Sequence, residues 1–176
     1  MPFTIDGKLR SGVFELEGDV SSQYVTGLLF ALPLLDGDSE IRMLSKLESK
    51  PYVDLTIACL RHFGIAVQET EQGYAVAGGQ QYHACDLTVE GDYSQAAFFC
   101  VANALGSDIT LTNLNPESVQ GDKKIVEIVR EMCYNREQGL PAGFTVDAAD
   151  IPDLVPILAV LATFGTAPSS ITGAHR

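Results

Sequence analysis

The sequence predicts an α/β protein assembled from a repeated β-α-β-α-β-β unit. Strand-like alternation gives way to apolar helical stripes and back again along the chain. Three segments resemble one another: Phe14–Thr26 reads FELEGDVSSQYVT, Leu87–Phe99 reads LTVEGDYSQAAFF and Phe144–Pro156 reads FTVDAADIPDLVP. Of the 176 residues 46% are hydrophobic and 19% charged, a balance that supports a sizeable core.

The first unit can be followed element by element. Phe14–Glu17 alternates as a strand. Asp19–Ser22 is a turn whose hydroxyls suit a helix cap, and Gln23–Leu34 is the helix. Asp36-Gly37-Asp38 turns the chain into a second strand, Glu40–Leu44. Pro51–Phe63 is a second helix, with proline in the first turn, where a missing N–H costs nothing. Val53, Ile57, Leu60 and Phe63 form its buried stripe, and Gly64 ends it. Ile65–Glu69 and Tyr74–Ala77 then pair as a hairpin around Glu71-Gln72-Gly73.

The second unit predicts strand Leu87–Val89, helix Ser94–Ala104, strand Asp108–Thr112 and helix Lys123–Met132. Its hairpin belongs near 133–142, where the residues are polar and few. The repeat starts lie 73 and then 57 residues apart, so the second unit is about sixteen residues shorter, and its hairpin is expected to be shortened. The third unit predicts strand Phe144–Asp147, helix Asp153–Phe164 and strand Ser170–Gly173. Ile151–Thr163 is very apolar, but it holds Asp153 and Pro156 and is too short to span a bilayer.

The net charge is −12, with 11 Lys and Arg against 23 Asp and Glu. Nucleic acid is excluded as a partner, because binding a phosphate backbone needs a cationic face. An anionic small molecule is not, since helix N-termini and a few side chains can hold one locally. The four cysteines, Cys59, Cys85, Cys100 and Cys133, form no CxxC pair and read as buried free thiols of a reducing compartment. His62, His83 and His175 are scattered without metal-ligand spacing, so no metal is expected. No basic region leads into an apolar run at the N-terminus, so no signal peptide is expected and a cytoplasmic location is.

Two clusters could carry chemistry. Ser21, Ser22 and Gln23 open the first helix, where free N–H groups and the positive dipole end attract anions. Ser49, Lys50 and Tyr52 precede or open the second helix of the same unit. Ordinary capping and a surface lysine account for each cluster alone; the pair is more informative. Asp92 and Asp153 open helices in the second and third units, where the dipole favours an acid in any protein. Asp153 lies in the apolar run Ile151-Pro152-Asp153-Leu154-Val155 and could accept a proton.

These residues carry a resemblance. Gly18-Asp19-Val20-Ser21-Ser22-Gln23-Tyr24 resembles the phosphate-binding turn of 5-enolpyruvylshikimate-3-phosphate synthases. Leu47-Glu48-Ser49-Lys50-Pro51-Tyr52-Val53-Asp54 resembles that family's second substrate segment. Val89-Glu90-Gly91-Asp92-Tyr93-Ser94 and Asp150-Ile151-Pro152-Asp153 resemble two further landmarks in the same order. The resemblance implies the enolpyruvate transferase fold, an inside-out α/β barrel of two lobes, present here in part. Residues 1–85 would be the last part of the first lobe, which binds shikimate 3-phosphate, and residues 86–176 the first part of the second.

By the same resemblance, Ser21, Ser22 and Ser49 would bind the phosphate of shikimate 3-phosphate. Gln23 would lie at the ring hydroxyls and Tyr52 along the substrate. Asp153 would bind the ring and act as the base, and Asp92 would be a cleft carboxylate. The second substrate would be phosphoenolpyruvate, with no cofactor, no nucleic acid and no membrane involved. The parent enzyme is expected to be a monomer, and this chain an internal piece of it that covers exposed apolar faces by self-association. Without the family's remaining cationic residues the piece is expected to be inactive. Three other readings are a binding-only module, an inert structural fragment, and the sister transferase acting on UDP-N-acetylglucosamine.

Overall fold

The computed structural model describes residues 2–174; His175 lies outside them. The architecture is α/β, and the chain divides into two compact units. One takes in the residues up to Glu48 together with Thr56–Asp86. The other takes in Ser49–Leu55 and the residues from Leu87 onward.

The first repeat realises the full β-α-β-α-β-β pattern, the start of its second helix being counted with the other compact unit. Strand β1 (Val13–Leu16) leads into α1 (Ser22–Ala31), which ends in a short 3-10 turn at Leu32–Leu34. Strand β2 (Ser39–Met43) follows and pairs parallel with β1, Val13 opposite Glu40 and Leu16 opposite Met43. Helix α2 (Lys50–His62) ends at Gly64, whose φ of +82° suits a glycine. The hairpin of β3 (Gln68–Thr70) and β4 (Gly73–Val76) returns antiparallel onto β2. The sheet order is β1-β2-β4-β3. Val25, Leu29, Leu32, Ile41, Leu60, Ile65 and Tyr74 are all nearly inaccessible and form this unit's interior.

The second unit is mainly helical. Helix α3 (Tyr93–Ala104) packs on α4 (Lys124–Glu137) and on α5 (Val155–Ala162). Strands β5 (Thr145–Asp147) and β6 (Ser170–Thr172) pair in parallel. Ala97, Val101, Ile125, Met132, Val146, Leu154 and Leu158 belong to one contiguous core.

Two expected strands do not form. Leu87–Val89 and Asp108–Thr112 approach only at their ends, where Gly91 N donates to Asn113 O at 2.6 Å and Asn113 Nδ2 donates to Val89 O at 2.9 Å. Leu87 and Val89 are exposed, so the alternation there has no core to lie against. Segment 133–142 contains no strand; α4 continues to Glu137 and a turn follows. The cysteines also depart from expectation. All four are free, but Cys85 is exposed and the other three are only half-buried. Among the described residues no helix is long and apolar enough to cross a membrane.

Candidate active site

In the first unit, Ser21 takes an extended backbone and caps α1, its Oγ accepting from Gln23 N at 3.2 Å. Ser22 is the first helical residue, and Gln23 is exposed beside it. The turn before them is pinned by its glycine. Gly18 N donates to Ser45 Oγ at 2.8 Å, Ser45 Oγ donates to Asp19 Oδ1 at 3.1 Å, and Glu48 N donates to Gly18 O at 3.0 Å. A Cβ on Gly18 would stand 2.6 Å from Lys46 O, so only glycine admits this approach. Two hydroxyls and a helix N-terminus on a braced turn suit an oxyanion.

The second unit holds the other candidates. Ser49 is 4% exposed and has φ +56°, a left-handed backbone unusual outside glycine and asparagine. Its N–H donates to Ala149 O at 3.1 Å. Lys50 Nζ is paired with Asp54 Oδ1 at 2.7 Å, one turn along α2. Tyr52, on the first turn of α2, reaches two carboxylates. Its hydroxyl lies 2.9 Å from Asp122 Oδ2 and 3.1 Å from Asp153 Oδ2. Burial and the two acids raise the Tyr52 pKa, so its proton is held firmly.

Asp153 sits in the 3-10 turn Pro152–Leu154 that leads into α5, and it is exposed rather than buried in the apolar run around it. Asp92 caps α3: its Oδ1 accepts from both Ser94 N and Ser94 Oγ at 2.9 Å. Tyr52 and Asp153 thus meet directly, 101 residues apart, while Asp92 is engaged as a cap.

Two further acids of this unit were given no role above: Asp122, outside the quoted motifs, and Glu90, within the Val89–Ser94 motif. Asp122, in the 3-10 turn Gly121–Lys123 before α4, is 4% exposed. Burial pushes its carboxyl up, the Tyr52 hydrogen bond opposes this, and the charges of Asp153 and Asp92 add to the rise, leaving it at about 6. Glu90 ties the preceding turns together. Its Oε1 accepts from Ser118 Oγ and, at 2.8 Å, from Gln120 Nε2; its Oε2 accepts from Asn115 Nδ2 at 2.9 Å. Burial pushes Glu90 upward, but these donors and Lys123 outweigh it and leave its pKa below the usual glutamate value. Gln120 Oε1 in turn accepts from Tyr93 N at 2.8 Å, fixing the head of α3. The available sequence signal was positional: Gly121-Asp122 precedes the second helix of its repeat, as Ser49-Lys50 begins that of the first. Among the described residues, no group of three or more His, Cys, Asp or Glu could hold a metal ion.

Comparison with known proteins accords with these motifs. The family profile for EPSP synthase (3-phosphoshikimate 1-carboxyvinyltransferase) matches residues 1–176. The 3-phosphoshikimate 1-carboxyvinyltransferase of Clostridium novyi (strain NT) is 44% identical over 186 residues, which take in 100% of this chain and 43% of the relative. That of Clostridium kluyveri is 45% identical over 186 residues, 100% of this chain and 44% of the relative. That of Clostridioides difficile is 40% identical over 182 residues, 98% of this chain and 42% of the relative. The chain therefore spans less than half the length of these relatives. With its whole length matched and its repeated α/β units in place, the chain belongs to the EPSP synthase family.

Proposed function

We propose that the chain carries part of the active site of an enzyme that moves the enolpyruvyl group of phosphoenolpyruvate onto the 5-hydroxyl of shikimate 3-phosphate. The 5-oxygen bonds to the substituted vinyl carbon while the methylene carbon takes up a proton. That carbon then returns a proton, the bond to the phosphate oxygen breaks, and inorganic phosphate leaves. Asp153 accepts the proton of the 5-hydroxyl. Ser21, Ser22 and Ser49 hold the phosphate of shikimate 3-phosphate, Gln23 and Tyr52 lie along its ring, and Asp92 contributes a cleft carboxylate.

The observation that supports this most is the hydrogen bond between Tyr52 and Asp153, which joins two distant motifs of the family. The two lobes of the parent meet near residue 85, and the parent works as a cytoplasmic monomer. Stabilising the phosphoenolpyruvate anions needs preorganised positive charge, and Lys50 is already paired with Asp54. The 176 residues alone are therefore expected to bind shikimate 3-phosphate weakly and release no phosphate from phosphoenolpyruvate.

The test is an NMR titration of the chain with shikimate 3-phosphate, with UDP-N-acetylglucosamine as the control. Amide shifts clustered at Ser21–Gln23 and Ser49–Tyr52 are expected with the first ligand only. Shifts with the nucleotide sugar alone, or none at millimolar shikimate 3-phosphate, would count against the reading.

A further inference from the structure

Asp122 is assigned no role by the function proposed above, yet it is the most enclosed acid of the site. It is 4% exposed, and its Oδ1 is buried without a hydrogen-bond partner among the described residues. Its Oδ2 takes the Tyr52 hydroxyl at 2.9 Å, and the same hydroxyl lies 3.1 Å from Asp153 Oδ2. A phenol has one proton to donate, so the two carboxylates compete for it.

The backbone around this group is tightly packed. A Cβ on Gly121 would stand 3.0 Å from both Asp150 O and Pro51 Cβ. Three segments thus converge there: the head of α2 with Tyr52, the turn with Asp122, and the approach to Asp153. Glu90 and Gln120 brace the turn from behind. An enclosed carboxylate is costly unless hydrogen-bonded, and a purely structural acid would have both oxygens satisfied.

We propose that Asp122 is a positioning residue for Asp153, acting through the single hydroxyl proton of Tyr52 that both carboxylates share. Tyr52 swings toward whichever acid carries more negative charge. When Asp122 is protonated the Tyr52 proton belongs to Asp153 and orients it; when Asp122 is ionised the proton is divided. The groups that face Asp122 are Tyr52 from α2, Asp153 from the turn before α5 and Asp92 from the cap of α3. Neighbouring Lys123 is turned away, its Nζ donating to Pro116 O at 2.9 Å.

The inference rests on Asp153 as the substrate-facing acid, but its test does not depend on turnover. The chain is labelled with 13C at tyrosine Cζ and aspartate Cγ and titrated from pH 4 to 8. Tyr52 Cζ and Asp153 Cγ are both expected to show a step at the Asp122 midpoint, near 6. In Tyr52→Phe the step at Asp153 is expected to shrink to the remnant left by direct charge coupling, while Asp122 still titrates. In Asp122→Asn, checked for folding by circular dichroism, it is expected to vanish from both. A step at Asp153 that is undiminished in Tyr52→Phe would overturn the proposal, because all of the coupling would then pass through space. An unresponsive Tyr52 in the unaltered chain would overturn it without any variant.

Binding supplies the second readout. Asp122→Asn, which like protonated Asp122 leaves the Tyr52 proton to Asp153, is expected to strengthen shikimate 3-phosphate binding several-fold at pH 8 in the unaltered background and to add nothing to Tyr52→Phe. A loss in the unaltered background, or equal changes in both backgrounds, would overturn the positioning role. If no ligand binds but the NMR coupling is present, the function proposed above falls and the coupling stands.

Discussion

The two Glu-Gly-Asp turns of the chain begin alike and end differently. Glu17-Gly18-Asp19 closes a strand of a four-stranded sheet, and Ser21 caps the helix that follows. Glu90-Gly91-Asp92 follows no strand, and its own aspartate is the cap. Both glycines let the loop that leads to the second helix of the repeat come close: Ser45 and Lys46 against Gly18, Asn113 against Gly91. The shared close approach belongs to the repeat; the caps diverge toward chemistry. The first turn presents hydroxyls and suits an anion, whereas the second presents a carboxylate whose charge bears on Asp122.

The glycines give the sharpest test of what is shared. In Gly18→Ala the new Cβ would stand 2.6 Å from Lys46 O and 2.7 Å from Ser45 O, backbone atoms that cannot turn aside. The expected loss is about 3 kcal/mol. In Gly91→Ala the Cβ would stand 2.9 Å from Asn113 O and 3.0 Å from the movable Leu114 Cδ2, and about 1–2 kcal/mol is expected. Urea unfolding followed by circular dichroism measures both. Equal losses would break the ranking, and no loss at Gly18 would remove the close-approach argument altogether.

The glutamates test what differs. Glu17 is exposed, and Glu17→Gln is expected to stay within about 0.5 kcal/mol. Glu90→Gln turns an amide toward donors that a carboxylate now accepts, Ser118, Gln120 and Asn115, and should cost about 2 kcal/mol. The sign with pH follows from linkage. The folded pKa of Glu90 is lowered, so its contribution is present above the ordinary value of 4.5 and is lost as pH falls through the lower folded value. The difference in stability between Glu90→Gln and the unaltered chain should therefore shrink below pH 4.5. A gap that is constant down to pH 3 would show that Glu90 acts by packing alone.

The same contrast explains how much was legible in the sequence. The order of elements in the first repeat read correctly from alternation and turn residues because each strand has a partner within the unit and the central strands have a core beneath them, as Ile41 and Tyr74 show; the wholly exposed β3 covers Gln68–Thr70 rather than the expected Ile65–Glu69. Leu87–Val89 carries the same alternation, yet forms no strand. Periodicity is local, whereas a ladder needs a neighbour and a buried face. At the site, the serine turns and Asp153 stood out as motifs. Asp122 did not, because an acid at a helix start is ordinary. Its burial and its bond to Tyr52, 70 residues earlier, are set by packing of segments far apart in sequence.

Ser49 supplies the smallest and most discriminating effect. Ser21, proposed with it to hold a phosphate, has relaxed extended backbone, whereas Ser49 is held at φ +56°. A left-handed serine costs about 1 kcal/mol relative to glycine. In Ser49→Gly the relief of that strain opposes the loss of a buried hydroxyl, and stability is expected to stay within about 1 kcal/mol. Ser21→Ala, which removes the acceptor of Gln23 N, should lower it by about 1 kcal/mol. Both should weaken shikimate 3-phosphate if the two serines grip its phosphate. Comparing affinity with stability then separates binding from folding: a loss of affinity without a matching loss of stability marks a serine that holds the ligand. If Ser49→Gly destabilises the chain and leaves ligand affinity intact, the buried hydroxyl serves the fold, and Ser21 and Ser22 hold the anion without it.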